Sequence, residues 1–163
     1  MIYIYKVISR INNTIFKIML KIKYGRKIKI GKKVIFRKGT NITIEKNGKL
    51  EIGNNTFFNK GCSINCMNRI VIGNNNLFGE DVKFYDHDHK INSKYRSHKF
   101  NYGNISIGDN NWIGSNSIIL RKTNIGNGNV FSCNSIINDT VTNNKLIKIK
   151  SEIVVEDIKY KED

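Results

Sequence analysis

The residues best suited to chemistry lie in one short stretch, Tyr85-Asp86-His87-Asp88-His89, and the third histidine of the chain, His98, follows soon after. Histidine transfers protons readily near neutral pH. Three interpretations of the stretch stay open on these residues alone. It could hold a general base oriented by an acidic neighbour, or a metal bound by His87 and His89 on one side of an extended segment. It could also be a polar surface turn.

The elements that must position this stretch follow a period of six residues. Aliphatic or phenylalanine side chains recur at this step, and glycine often comes next. The positions are Ile52, Phe58, Ile64, Ile72, Phe78, Phe84, Ile107, Ile113, Ile119, Ile125, Phe131 and Ile137. A period of six fits neither an amphipathic helix nor an alternating strand and is typical of hexapeptide β-helix repeats. The sequence therefore predicts an all-β solenoid with 18 residues per coil, in which these side chains point inward.

The pattern divides the chain into three parts. Residues 1–24 carry isoleucines at helical spacing with basic residues largely off that stripe, which predicts an amphipathic helix. We expect it to cap the solenoid and to present Lys6, Arg10, Lys17 and Lys21 outward, where they could hold the protein on an anionic membrane. Residues 25–142 form the predicted solenoid with an extruded loop at 90–104, and residues 143–163 form a basic and then acidic tail.

The composition favours an anionic partner, because the formal net charge of the 163-residue chain is +15. A phosphorylated cofactor, a pyrophosphate-linked lipid, an acidic membrane and nucleic acid are all compatible with it. No stretch of 18 apolar residues indicates a membrane span, and three cysteines without a CxxC pair indicate reduced thiols in a cytosol.

Two stretches, VKFYDHDHKI and the block that begins IGDNNWIGSNSIIL, resemble the left-handed β-helix acyltransferases. The similarity is greatest to sugar O-acetyltransferases related to maltose and galactoside acetyltransferases, including those of capsule and lipopolysaccharide clusters. It covers about residues 28–142. It implies a left-handed solenoid, acetyl-CoA as the acyl donor, no metal, a sugar or glycan acceptor, and a homotrimer with active sites between neighbouring solenoids.

The resemblance also assigns residues. His89 falls on the catalytic histidine of the family, which accepts the proton of the acceptor hydroxyl. Backbone N–H groups near Gly114 and Ser115 would stabilise the oxyanion. The resemblance places the cofactor at Ser115, Cys133, Asn138 and Asp139 and the acceptor at Asn59. We further expect Gly114 to lie at the cofactor, Lys122, Lys145 or Lys148 to lie near its phosphates, and Asp86, His87 and Asp88 to contact the acceptor. Asp139 departs from the family, which often has a cation there.

Other functions remain alternatives. The acceptor could be an amino group of a sugar rather than a hydroxyl. A γ-type carbonic anhydrase shares the solenoid, but it needs three zinc-bound histidines across a subunit interface, whereas His87, His89 and His98 crowd one segment. A basic protein without enzymatic activity could bind membrane or, less favoured, nucleic acid. The expected location is the cytoplasm, with peripheral contact at the inner face of the membrane.

Overall fold

The computed structural model describes residues 2–92, 94 and 98–150, with residues 2–6 as backbone only. Tyr95 and Arg96 of the predicted loop and the end of the predicted tail, from residue 151 onward, lie outside this range. Helix α1 spans Ile2–Tyr24, and a short 3₁₀ turn at Gly25–Lys27 leads into the first strand. No helix among these residues is long and apolar enough to cross a membrane.

The strands that follow wind into three parallel sheets, one for each side of a triangular coil. Sheet A contains β1 (Ile28–Ile30), β4 (Lys49–Ile52), β7 (Arg69–Ile72), β12 (Ile105–Ile107), β15 (Asn124–Ile125) and β18 (Thr140–Val141). Sheet B contains β2 (Ile35–Phe36), β5 (Phe57–Phe58), β8 (Leu77–Phe78), β13 (Trp112–Ile113), β16 (Val130–Phe131) and β19 (Leu146–Ile147). Sheet C contains β3 (Asn41–Ile44), β6 (Ser63–Cys66), β9 (Lys83–Tyr85), β14 (Ile118–Leu120) and β17 (Ile136–Ile137).

The predicted inward positions form the core. All twelve are at most 5% exposed, and they stack in register from coil to coil, as in Phe36–Phe58–Phe78. The rings of Phe58 and Phe78 lie 4.8 Å apart and are nearly parallel. The predicted solenoid is thereby confirmed, and its core runs along the axis so that each coil covers the next.

Three corners join the sheets, and we name them by the sheets they connect. Corner AB follows the strands of sheet A, corner BC those of sheet B, and corner CA those of sheet C. Asparagines at these corners adopt the left-handed conformation, for example Asn55, Asn75 and Asn110 with φ between 55° and 59°. Asparagine tolerates this conformation better than most residues, which explains its abundance in the repeats.

Within residues 28–92 and 98–150, the chain leaves the solenoid after β9 alone, and it does so earlier than predicted. The strands β10 (His87–His89) and β11 (Phe100–Tyr102) pair antiparallel as a hairpin, so His87 and His89 belong to the excursion. Residues 44–51 interrupt the six-residue step but form no excursion. There β3 and β4 belong to different sheets, and the turn between them is an ordinary corner CA.

Helix α1 covers the first coil, but with a face that the sequence did not predict. Phe16, Leu20 and Tyr24 pack on the core, and the Tyr24 hydroxyl donates to the Ile42 carbonyl at 2.8 Å. Lys17 was expected to point outward, yet its Nζ donates to the Val34 carbonyl. The isoleucine stripe faces away from the solenoid instead, with Ile11 and Ile18 each about half exposed.

Candidate active site

The hairpin places the two histidines on one of its faces. His87 lies opposite Tyr102 and His89 opposite Phe100, and side chains two residues apart share a face. The His89 and Phe100 ring centroids are 4.5 Å apart with the rings tilted by 38°, and His87 meets Phe100 edge to face at 5.7 Å. Phe100 therefore supports both imidazoles from the second strand.

Asp86 anchors the start of the hairpin inside the solenoid. Its carboxylate is fully buried and accepts backbone N–H groups from Met67 at 2.8 Å and Asn68 at 2.7 Å, both in corner CA of the preceding coil. One oxygen also lies 3.0 Å from Nδ1 of His87. Asp86 therefore orients the His87 ring, and its burial favours this positioning role over the predicted contact with the acceptor.

The two histidines consequently have different surroundings. The His87 side chain is 18% exposed and is held by a carboxylate, whereas His89 is exposed and lies nearer the tip of the hairpin. An orienting carboxylate is an arrangement found beside many general bases, and access to solvent is what an acceptor requires. His89 is thus the more accessible of the two rings, and His87 is the more firmly oriented.

The opposite face of the hairpin is tied to the solenoid by charge. Asp88 accepts from Nε of Arg121 at 2.5 Å and from Nδ2 of Asn101 at 2.8 Å. The hydrogen bond from Arg121 is the main reason that the pKa of Asp88 is lowered from its ordinary value. Asp88 was predicted to contact the sugar acceptor. Its carboxylate is instead engaged in these two bonds, which fix the hairpin against the corner that contains Arg121.

Ser115 and Cys133 stack at corner BC, as their 18-residue separation predicts. A β-carbon built on Gly114 would lie 2.5 Å from the Cys133 backbone nitrogen, so only glycine fits between these coils. Asn59 lies two coils below Ser115 at the same corner, while the Ser115 hydroxyl accepts from the Glu80 backbone N–H at 3.0 Å. These predicted residues therefore form one continuous edge.

The N–H group of Gly114, one of the two expected at the oxyanion site, takes part in the sheet instead. The Gly114 N–H donates to the Phe131 carbonyl at 2.9 Å as part of the ladder of sheet B, and Gly114 itself is buried. Its N–H is therefore committed to holding two coils together and is not directed toward a ligand. Ser115 remains the candidate donor of this pair.

A largely apolar groove opens beside Cys133. Its volume is about 470 Å³, and the residues that line it include Trp112, Ser132, Cys133, Leu146, Lys148 and Ile149. Trp112 is 52% exposed although it is the largest side chain of the chain, and the Cys133 thiol is exposed as well. The groove offers a long apolar surface with a lysine at its rim.

The remaining predicted cofactor residues lie at other corners. Asn138 and Asp139 follow β17 at corner CA, where the Asp139 carboxylate accepts the Thr140 N–H, and Lys122 follows β14 at the same corner. Lys145 lies at corner AB and donates its N–H to Asn129. The structure therefore does not bring all the predicted cofactor positions together within one chain.

The candidate residues instead flank the outer face of sheet C from both sides. Corner BC carries Asn59, Ser115 and Cys133, and corner CA carries the hairpin. Strand β14 separates Ser115 from Arg121, a path of six residues or at most about 20 Å. Sequence reasoning did not single out Phe100 or Arg121 as parts of the site. Their only signals were an aromatic residue in the extruded loop and a cation directly after a core strand.

A metal interpretation receives no support from the described residues, where no group of three or more histidine, cysteine or acidic side chains could hold an ion. The thiols of Cys62 and Cys66 are buried in the core. Burial raises the pKa of Cys62 to about 11 and that of Cys66 to about 12, and the nearby Asp86 contributes to the latter.

Comparison with known proteins agrees with the predicted resemblance at the level of fold. The chain superposes on a hexapeptide-repeat acetyltransferase from Vibrio cholerae solved with acetyl coenzyme A, with a TM-score of 0.71 and 24% identity over 83% of this chain and 72% of that one. It also superposes on a galactoside acetyltransferase in complex with coenzyme A, with a TM-score of 0.71 and 22% identity over 81% of this chain and 64% of the other.

A maltose O-acetyltransferase from Clostridium difficile shares 25% identity and a TM-score of 0.63, over 82% of this chain and 72% of the other. The chain thus has the left-handed β-helix fold of the hexapeptide-repeat acetyltransferases. No family model matches the sequence.

Two curated relatives share part of the sequence. One, from Schizosaccharomyces pombe, is named "putative acetyltransferase" and is 31% identical over 60% of this chain and 47% of its own length. Another of that name, from Dictyostelium discoideum, is 35% identical over 44% of this chain and 38% of its own length. The chain therefore spans less than half the length of the curated relatives it matches.

Proposed function

We propose that this protein is an acetyl-CoA-dependent O-acetyltransferase that modifies a sugar hydroxyl, in the assembly of surface polysaccharide. The observation that carries the proposal is the pair of edges around sheet C. One edge presents an exposed histidine on an anchored hairpin, and the other carries Ser115 and Cys133, beside a groove that extends over the outer face of sheet B. The solved proteins of this fold that bind acetyl coenzyme A or coenzyme A support the choice of donor.

His89 acts as the general base in this proposal. It accepts the proton of the sugar hydroxyl while that oxygen attacks the thioester carbonyl, and the Ser115 N–H stabilises the oxyanion. The tetrahedral intermediate then collapses, the carbon–sulfur bond breaks, and the thiolate of coenzyme A takes the proton from His89. The products are the sugar acetate ester and free coenzyme A, and no covalent enzyme intermediate forms.

The first experiment measures release of coenzyme A with acetyl-CoA and a panel of mono- and oligosaccharides. His89→Ala should lower kcat by about 10²–10⁴ without a comparable rise in the KM for acetyl-CoA. His87→Ala is the matched control, because it removes the neighbouring imidazole on the same face. A larger loss in His87→Ala than in His89→Ala would assign the base to the histidine that Asp86 orients.

The chemistry of the product separates the alternatives. An ester on a sugar hydroxyl is released by mild alkali or hydroxylamine, whereas an amide on an amino sugar resists both treatments. If no acetyl-CoA turnover or binding is found, and nucleic acid binds with an affinity that falls steeply as salt rises, the protein is instead a basic binding protein.

The Cys133 groove is the proposed site of the pantetheine arm, with Lys148 of the groove and Lys122 of corner CA near the phosphates. Acetyl-CoA should protect the exposed Cys133 thiol from alkylation, while Cys62 and Cys66 stay unreactive in either condition because they are buried. Cys133→Trp should raise the KM for acetyl-CoA sharply. Ile35→Trp, at an exposed position of sheet B in the first coil, controls for added bulk away from both edges. Unaltered alkylation in the presence of acetyl-CoA would place the cofactor somewhere else.

We also propose a homotrimer in which the hairpin of one subunit faces the Cys133 edge of the next. The separation of the two edges within a chain is the reason, because a second copy could bring them together. Subunits carrying His89→Ala and Cys133→Trp, each nearly inactive alone, should then complement each other when refolded together, to about a quarter of wild-type activity for random mixing. A monomer with full activity, or a mixture without recovered activity, would show that each site is built within one chain.

A further inference from the structure

The outward face of helix α1 carries a continuous row of exposed apolar side chains. Ile8, Ile11, Ile15, Ile18 and Ile22 follow the three- and four-residue spacing of one helical stripe, and they are between 50% and 79% exposed. Met19 extends the stripe with 60% exposure. From Ile8 to Ile22 this stripe, which we call the isoleucine ridge, is about 21 Å long.

The fold leaves this ridge uncovered because another face of the helix makes the contacts. Asn13 receives the Phe36 N–H at 2.9 Å and donates to the Val34 carbonyl, and Phe16 meets Phe36 edge to face at 5.5 Å. Leu20 and Tyr24 complete this docked face. At 3.6 residues per turn, the docked face and the ridge lie on roughly opposite sides of the helix. Anchoring the helix therefore presents the ridge to the exterior.

The charge around the ridge identifies the kind of partner. Helix α1 contains five basic residues and no acidic one. Residues 1–44 together carry twelve lysines and arginines without a single aspartate or glutamate, a charge of +12, whereas residues 45–163 carry only +3. The basic residues of the first coil, among them Arg26, Lys29, Lys32 and Lys33, are exposed at the same end of the molecule.

We infer that the isoleucine ridge docks on the surface of an anionic lipid bilayer. An amphipathic helix with an apolar stripe and basic flanks inserts that stripe at the boundary of headgroups and acyl chains, and the lysines and arginines attract acidic lipids. The ridge is a convex surface, which lipid covers without any matching groove. A second copy fits poorly, because two ridges in contact would bring basic flanks such as Arg10 and Lys21 together without acidic partners.

The sequence alone expected the basic side chains to meet the membrane and the isoleucines to face the solenoid. The structure assigns the membrane contact to the isoleucines themselves, with Lys17 bound to the first coil. The inference is independent of the proposed acetyl transfer. It would hold the solenoid by its first-coil end, with the hairpin and the Cys133 groove higher along the axis.

The test is co-sedimentation of the full chain with two kinds of vesicle: phosphatidylcholine alone, and phosphatidylcholine with about a third phosphatidylglycerol. Wild-type protein should bind the anionic vesicles and release them in part as salt rises from about 0.05 M to about 0.5 M. Ile11→Gln/Ile18→Gln should weaken this binding at least about tenfold. Ile136→Gln, which removes an equally exposed isoleucine far from the helix, should bind as wild type does.

Arg10→Gln/Lys21→Gln separates charge from apolar insertion, because it keeps the ridge and should reduce the preference for anionic vesicles. Circular dichroism and thermal midpoints close to wild type should show that these exposed substitutions leave the fold intact. Equal binding by the ridge variant and wild type would overturn the inference, as would absence of wild-type binding to anionic vesicles at low salt. Loss of a larger oligomer in the ridge variant, without vesicle binding by wild type, would identify a second copy as the partner.

Discussion

Corner AB and corner CA of the same solenoid satisfy the backbone N–H groups of their turns in opposite ways. At corner AB each coil repeats the last. The side-chain oxygen of Asn74 accepts the Asn54 N–H at 2.8 Å, that of Asp109 accepts the Asn74 N–H at 2.6 Å, and that of Asn127 accepts the Asp109 N–H at 2.7 Å. This ladder satisfies the turns with exposed or partly exposed groups, and each of its side chains repeats the role of the one in the coil before.

Corner CA interrupts the repetition with one buried carboxylate. Asp86 takes two backbone N–H groups of the coil below and at the same place directs the chain outward into the hairpin. The difference shows where a repetitive solenoid can form a functional site. It forms where the chain departs from the repeat and a buried side chain stabilises that departure from inside the core. The histidines are placed by Asp86 and Phe100, and neither residue follows the repeat in its role.

The largest effect should come from removing the irregular anchor. Asp86→Ala leaves the Met67 and Asn68 N–H groups without their acceptor and frees the His87 ring, which should lower the free energy of unfolding by about 3 kcal/mol. Urea unfolding measures this change. Asp109→Ala is the matched control at corner AB and should cost only about 1 kcal/mol, because its carboxylate serves a more exposed turn. Equal costs would mean that the two corners do not differ energetically.

A second, buried ladder inside corner AB gives the next effect. Asn111 accepts the Asn129 N–H at 2.9 Å and donates to Asn76 and to the Gly126 carbonyl, so all of its polar atoms are used. The Nδ2 atom of Asn129 is buried without a hydrogen-bond partner among the described residues. Asn111→Ala should therefore cost about 2 kcal/mol, and Asn129→Ala clearly less, in the same urea titration. A larger cost for Asn129→Ala would show that its amide has a partner in solution.

Most of the solenoid could be predicted because its signal is local and repeated. The six-residue step identified the inward side chains, and the 18-residue separation of Ser115 and Cys133 correctly placed both on one edge. The same counting places Asn138, five residues after Cys133, at the next corner, so the division of the predicted cofactor residues was also contained in the spacing.

The errors have a common physical cause, which is contact between distant parts of the chain. Nothing near Asp86 in the sequence indicates that its carboxylate accepts the backbone N–H of Met67, nineteen residues earlier. The sequence indicates that the strongest apolar stripe of the helix packs on the solenoid. The first coil instead contacts Phe16 and Asn13, because the ring of the first and the amide of the second fit its exposed edge. Such pairings depend on the shape of the partner surface, which hydrophobic periodicity does not describe.

The smallest effect concerns the exposed tie between the hairpin and the solenoid. The hydrogen bond from Arg121 lowers the pKa of Asp88, so this interaction stabilises the folded state at pH values above the ordinary aspartate pKa of about 3.9 and is lost as the pH falls through the lower folded value. Arg121→Gln should raise the pKa of Asp88 toward its ordinary value while changing stability by less than about 1 kcal/mol, because the pair is solvent-exposed. Carboxyl NMR titration of Asp88 measures the first quantity and urea unfolding the second.

Lys122→Gln removes the neighbouring cation at the same corner and should leave the Asp88 titration near wild type. If both variants shifted it equally, general positive charge at corner CA, and not the hydrogen bond from Arg121, would hold the hairpin.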